Sequence, residues 1–235
     1  MTPENRIPEL DLMRGLCILA MIAVHFIYNL TALYPVFQRL SPAYLFLKEQ
    51  GGAVFFLISG ISATLGSHPL KRGLLVSGCG ILVSAVTAAV GMPVRFGVLS
   101  CLGVCMLLWT FFRTLPARRL ILSSAAFLLL GAVFSRRFVS APFLYPLGLC
   151  RPDFQSADYF PLFPFAGFFL AGSCLGRRLY PVRRSLLPRV SFSSPLSRFL
   201  RLCGRKSLLL YLAHQPVLII AIETAIFIGG VFREI

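Results

Sequence analysis

The chain has 235 residues, 57% of them hydrophobic and 13% charged, with a mean hydropathy of +0.81. Soluble domains carry about twice that charged fraction, so the composition excludes an ordinary soluble domain and indicates a polytopic membrane protein. A formal net charge of +15 would suit nucleic acid, but the apolar runs argue against that partner, and basic cytoplasmic loops account for the excess.

The seven cysteines form no CxxC pair. Most sit inside apolar runs (Cys17, Cys79, Cys101, Cys105, Cys174) and read as small buried hydrophobes. No zinc motif, P-loop, dinucleotide fingerprint or serine-hydrolase elbow is present, and no metal is expected.

In chain order, the first apolar run is LDLMRGLCILAMIAVHFIYNLTAL, residues 10–33. Asp11, Arg14 and His25 interrupt it. At about 100° per residue, Arg14 and His25 are three turns apart and point the same way, and Asn29 joins the stripe. Ionisable groups at membrane depth are costly and usually face a protein interior or a watery cavity. Asp11 and Arg14 alone could mark the membrane edge. That reading fails for His25, about 16 Å further along. The internal polar residues and the later runs make this an uncleaved first span rather than a signal peptide.

Seven runs approach the roughly 20 residues that a bilayer requires: 10–33, 44–66, 73–91, 96–112, 119–135, 159–176 and 207–229. The expected fold is an all-α polytopic bundle, forming a single transmembrane domain over 1–235. Residues 136–158 read as a structured loop with amphipathic pieces, and 177–206 as a basic cytoplasmic loop. With the N-terminus inside, sixteen Arg and Lys fall on the cytoplasmic side and seven, including Arg39 and Arg233, outside. This favours N-inside and C-outside.

The second run carries GGAVFFLISGISATLG. Gly51, Gly52, Gly60, Ser59 and Ser62 are expected to let helices approach closely. Ser59 is also a candidate substrate contact. Arg95, in MPVRFGVLSCLG, stands at the outer mouth of the fourth helix, where a guanidinium can anchor an anionic or hydroxylated group. Asp158 and Tyr159 open the sixth run. Asp158 either caps that helix or holds an amine or hydroxyl. In GRKSLLLYLAHQPVLIIAIET, Ser207, Tyr211 and His214 share a face, and Pro216 breaks the backbone bond to Leu212 beside His214 and Gln215. That is a way to open a small polar cavity, although His214 could equally satisfy a structural hydrogen bond. Two intramembrane histidines with an arginine and an aspartate suit proton transfer or the polarising of a carbonyl.

Five stretches carry a family resemblance: LDLMRGLCILAMIAVHF, GGAVFFLISGIS, RFGVLSCLG, DYFPLFPFAGFFLAG and GRKSLLLYLAHQPVL. Arg14 and His25 resemble the Arg-x10-His signature of the transmembrane, type 3-like acyltransferase superfamily. The ordered set resembles bacterial members of the heparan-alpha-glucosaminide N-acetyltransferase catalytic-domain family. The resemblance implies an integral protein of the bacterial plasma membrane. Its expected activity is transfer of an acyl group, usually acetyl, from cytoplasmic acyl-CoA to a carbohydrate-type hydroxyl or amine of the cell envelope. By the same resemblance His25 is catalytic, Arg14 positions the donor or holds the surroundings of His25, and Asp11 orients Arg14. Arg95, Asp158, Tyr159, His214, Gln215 and Ser59 are the candidate substrate contacts. The basic 177–206 loop is a place for CoA phosphates or anionic lipid.

Two departures stand out. Ser100 follows RFGVL where many relatives carry histidine, and larger members have more spans. A short chain either lacks part of the donor channel or completes it as a homo-oligomer. The competing function is a proton-coupled transporter or flippase for a small polar or anionic solute, against which the absence of an internal repeat counts.

Overall fold

The computed structural model describes residues 7–33 and 41–231. Among them the chain is all-helical, with eight α-helices and one isolated bridge between Phe138 and Cys150. Arg6, Arg39 and Arg233, used in the charge count, lie outside the described residues. The chain divides into two compact units. A central unit holds Gly52–Val190, and a terminal unit holds Pro8–Gly51 with Ser191–Ile235. The division falls inside α2 (Pro42–Leu65).

In the terminal unit, α1 (Pro8–Tyr28) continues as a π-helical turn, Asn29–Leu33. Pro8 takes the first helical position, where its missing N–H costs nothing. Glu9 and Asp11 occupy the first turn, where negative charge suits the helix dipole. The segment 177–206 was expected to be a basic loop, but it contains α7 (Pro195–Arg205). The Ser194 hydroxyl accepts from the Ser197 N–H at 3.2 Å and Pro195 opens the helix, a capping arrangement that fixes its start.

One face of α7 buries Leu200, Cys203 and Gly204. Leu196, Phe199 and Leu202 are exposed, as are Arg198 and Arg205. α7 packs on α1 through two facing glycines. A Cβ on Gly15 would collide with the carbonyl of Leu200, and one on Gly204 with the carbonyl of Asp11. Backbones this close require glycine on both sides. α8 (Ser207–Val231) also packs on α1 and carries Pro216 in its interior.

In the central unit, α3 (Pro69–Ala89) packs on α4 (Val98–Phe112), and α5 (Ala117–Phe134) on α6 (Leu162–Leu179). The rest of α2 meets α6 where Gly60 faces the Phe169 carbonyl and Gly172 the Leu57 carbonyl. Ser173 donates to the Gly60 carbonyl at 3.2 Å. The expectation of close packing therefore holds for Gly60. It does not hold for Gly51, which has open space around it, and Gly52 meets the Phe160 ring rather than a backbone. Arg177 closes the end of α4, donating to the carbonyls of Leu115 and Arg113 and lying 5.2 Å over the Trp109 ring.

The 136–158 loop is structured as expected. Val139 N–H donates to the Cys150 carbonyl at 3.0 Å, and a 3-10 turn, Tyr145–Leu147, ends at Gly148 with φ +106°. That backbone favours glycine.

Among the described residues, four helices are long and apolar enough to cross a membrane: Pro8–Thr31, Pro69–Ala89, Ala117–Phe134 and Ser207–Ile228. The other three expected spans differ for identifiable reasons. α4 has 15 residues, roughly 22 Å at 1.5 Å per residue against a hydrocarbon core near 30 Å. α2 carries Lys48, Glu49 and Gln50. α6 begins later than residue 159, has a non-helical Phe163 near its start and ends on Arg177 and Arg178.

Candidate functional site

The polar stripe of α1 divides into two clusters. At the start of the helix, the Arg14 guanidinium donates to Asp11 Oδ1 at 3.1 Å, with the Asp11 side chain 6% exposed and that of Arg14 24%. The residues are one turn apart, so α1 alone orients the pair. The Asp11 carboxylate thus lies against the Arg14 guanidinium on the same face of α1.

The second cluster joins α1 to α8. The His25 and His214 rings meet edge to face, with centroids 4.8 Å apart and planes at 76°. Each ring is anchored to its own helix. His25 Nδ1 lies 2.9 Å from the Met21 carbonyl, and His214 Nδ1 bonds the Tyr211 carbonyl. A carbonyl can only accept, so Nδ1 carries the proton in both rings. With Nδ1 committed in this way, Nε2 is the ring nitrogen left to carry a lone pair, the position a general base requires.

One turn beyond His25, Asn29 is fully buried and its Nδ2 donates to Gln215 Oε1 at 2.9 Å. The π-helical turn begins at Asn29, and such turns are frequent at functional sites. Pro216 follows directly in α8. It has no N–H for the Leu212 carbonyl, so the helix ladder is weakest where His214 and Gln215 project. Among the described residues, two buried side-chain atoms here have no hydrogen-bond partner, Asn29 Oδ1 and His214 Nε2. Each such atom costs about 1–3 kcal/mol.

The expected stripe thus brings together His25, Asn29, His214 and Gln215 in the terminal unit. Arg95, Asp158, Tyr159 and Ser59 belong to the central unit. Ser59 is buried on α2. Of the two readings of Asp158, the cap of the helix that follows it is not what is seen. Instead its Oδ2 accepts from the Val98 N–H at 3.1 Å, at the start of α4, while Pro161 takes the N-cap of α6. The physical reason is reach: the 156–158 segment runs beside 93–97, with Ser156 Oγ accepting from the Arg95 N–H at 2.8 Å and the Ala157 N–H donating to Pro93.

The Tyr159 hydroxyl donates to the Tyr145 carbonyl at 2.6 Å and accepts from the Cys150 thiol at 3.1 Å. Burial and the Cys150 contact raise its pKa, so it remains a donor. Arg95 lies 6.0 Å over the Phe154 ring and lines a pocket of about 110 Å³ with Tyr145, Arg151, Asp153 and Phe154. Arg151 is held by Asp153 at 3.0 Å. Among the described residues, no group of three or more His, Cys, Asp or Glu could hold a metal ion.

The sequence reading placed Asn29 on the stripe without giving it a role. Its signal was the four-residue spacing from His25. The signal for α7 was Ser194–Pro195 ahead of Leu196, Phe199, Leu200 and Cys203, at helical spacing.

The sequence matches the family described as "Heparan-alpha-glucosaminide N-acetyltransferase, catalytic" over residues 6–216. That match spans residues of both units. No curated protein and no solved structure gives a significant match.

Proposed function

Because the chain belongs to the heparan-alpha-glucosaminide N-acetyltransferase catalytic family, we propose that it is a membrane-embedded acetyltransferase that takes acetyl from acyl-CoA on the cytoplasmic side. The recipient is a carbohydrate-type hydroxyl or amine at the outer side. The observation that carries this reading is the His25–His214 pair, with both Nδ1 atoms committed to backbone carbonyls. The N-inside orientation rests on the distribution of Arg and Lys along the sequence.

In this reading His25 Nε2 removes the proton from the acceptor hydroxyl or amine as its oxygen or nitrogen bonds to the thioester carbonyl carbon. The C–S bond then breaks, and the CoA thiolate takes the proton back from the His25 imidazolium. Atoms and charge balance with no further reactant. A route through an acyl-His25 intermediate has the same overall balance.

Arg14, held by Asp11, is the positioning cation nearer the cytoplasm. Gln215 fixes Asn29 and thereby the wall beside His25. Asp158 and Tyr159 have structural partners in the central unit. Arg95, at the rim of the pocket with Phe154 and Tyr145, is the central unit's candidate for an anionic or hydroxylated group.

The test is release of free CoA from acetyl-CoA by the purified full chain in nanodiscs, across a panel of sugars and amines. Acceptor-dependent release that disappears in His25→Ala supports the assignment. Undiminished release in His25→Ala removes it. Solute uptake into liposomes that depends on His214, without thioester cleavage, favours the transporter.

A further inference from the structure

Helix α7 divides into sectors around its axis. Leu200, Cys203 and Gly204 form the buried face on α1. At about 100° per residue, Phe199 and Leu202 come next round the axis, and Leu196 stands at the helix start. These three apolar side chains are 53%, 48% and 67% exposed. Beyond them Arg198, Arg201 and Arg205 share one basic sector, spaced three and four residues apart. Arg198 and Arg205 are exposed, and among the described residues neither has an ion pair. Arg201 donates to the Phe192 carbonyl at 3.3 Å. Residues 177–206 contain no Asp or Glu to neutralise these charges.

The depth of α7 follows from α1. The span Pro8–Thr31 has 24 residues, about 36 Å at 1.5 Å per residue against a hydrocarbon core near 30 Å. Its ends therefore stand among the headgroups. α7 meets α1 at Asp11 and Gly15, in the first turns of that span, where Gly204 faces the Asp11 carbonyl and Gly15 the Leu200 carbonyl. An exposed apolar sector beside a basic one, held at this depth, suits a leaflet with anionic headgroups. The apolar sector decides between phosphate-bearing partners. A soluble phosphate ester such as CoA can neutralise the arginines but leaves Phe199 and Leu202 in water. A leaflet covers both sectors, with acyl chains on the apolar side chains and phosphates on the guanidinium groups.

We propose that α7 is an interfacial helix that docks on anionic lipid headgroups at the face of the membrane where α1 begins. This surface is distinct from the histidine pair, since His25 lies roughly 15 Å along α1 from Gly15. Its assignment does not depend on the reaction that the chain catalyses. Because Gly15 adjoins Arg14, the docked helix also braces the turn of α1 that carries the Asp11–Arg14 pair.

The chain has one tryptophan, Trp109, so Phe199→Trp in a Trp109→Phe background puts a single indole on the exposed apolar sector. The full chain is reconstituted in nanodiscs of phosphatidylcholine and phosphatidylglycerol in equal parts, with bromine on the acyl chains of one lipid at a time. The indole should be quenched by both brominated lipids, and more strongly by phosphatidylglycerol. Arg198→Gln combined with Arg205→Gln should lower that preference severalfold, up to about fivefold per arginine. Arg183→Gln combined with Arg184→Gln, in the same basic stretch but outside α7, should leave it unchanged. If Trp109→Phe does not fold, Phe199→Trp is read as the difference from the parent chain, whose Trp109 is buried.

An indole that neither lipid quenches places α7 in water and overturns the proposal. Equal quenching by the two lipids, equal loss of preference in both arginine pairs, or removal of the phosphatidylglycerol quenching by free CoA does the same. Each of these outcomes leaves the acetyltransferase reading untouched, because that reading is decided by His25-dependent CoA release.

Discussion

The imidazoles of His25 and His214 meet at 4.8 Å from opposite ends of the sequence, each tied through Nδ1 to a carbonyl of its own helix. Neither backbone bond involves the other helix. α1 and α8 therefore each prepare a ring with a lone pair on Nε2, and helix packing brings the rings together.

If His25 is the general base, His25→Ala lowers acceptor-dependent CoA release by about two to four orders of magnitude. The protein should still elute as the same species in size-exclusion chromatography, because the His25 side chain is not fully buried and, among the described residues, its hydrogen bond goes to the carbonyl one turn back in its own helix. A loss below tenfold would assign the proton transfer elsewhere.

The same role sets a pH dependence. Only a neutral imidazole can take the acceptor proton. The rate should climb from the acidic side as the base loses its proton, then level off. A rate that is flat between pH 5 and pH 8, measured by initial CoA release, speaks against a histidine base.

The α1–α7 crossing tolerates no side chain. Gly15→Ala and Gly204→Ala each drive a methyl into an opposing carbonyl, and overpacking of this kind costs about 1–3 kcal/mol. Both variants should unfold at lower temperature in detergent. Gly51→Ala, at a helical position with open space, should not. Equal behaviour of all three would mean that the α1–α7 contact contributes nothing to stability.

Asp158 holds the start of α4 through the Val98 N–H. Asp158→Ala should therefore cost about 0.5–2 kcal/mol, as loss of a helix cap does. Asp158→Asn keeps an acceptor oxygen and should cost less. If both variants retain full stability but lose acceptor affinity in the CoA-release assay, Asp158 is a ligand-binding residue and its cap is incidental.

The sequence by itself determined the class of protein and the polar face of its first helix. Apolar runs near 20 residues can satisfy their backbones in lipid only as helices, and the 3.6-residue period puts Arg14, His25 and Asn29 on one side without any knowledge of neighbours. The Asp11–Arg14 pair was equally local, one turn apart. The ordered motifs identified the family for the same reason, since they are properties of the chain and not of its packing.

Which residues meet across helices was decided only by the tertiary structure. His214 with His25, Gln215 with Asn29, Gly204 with Gly15 and Asp158 with Val98 all join residues distant in sequence. A helical period fixes the direction of a side chain about its own axis, but the partner depends on how two axes cross. For α1 and α7 that crossing is set by Gly15 and Gly204, whose missing side chains let one backbone rest on the other.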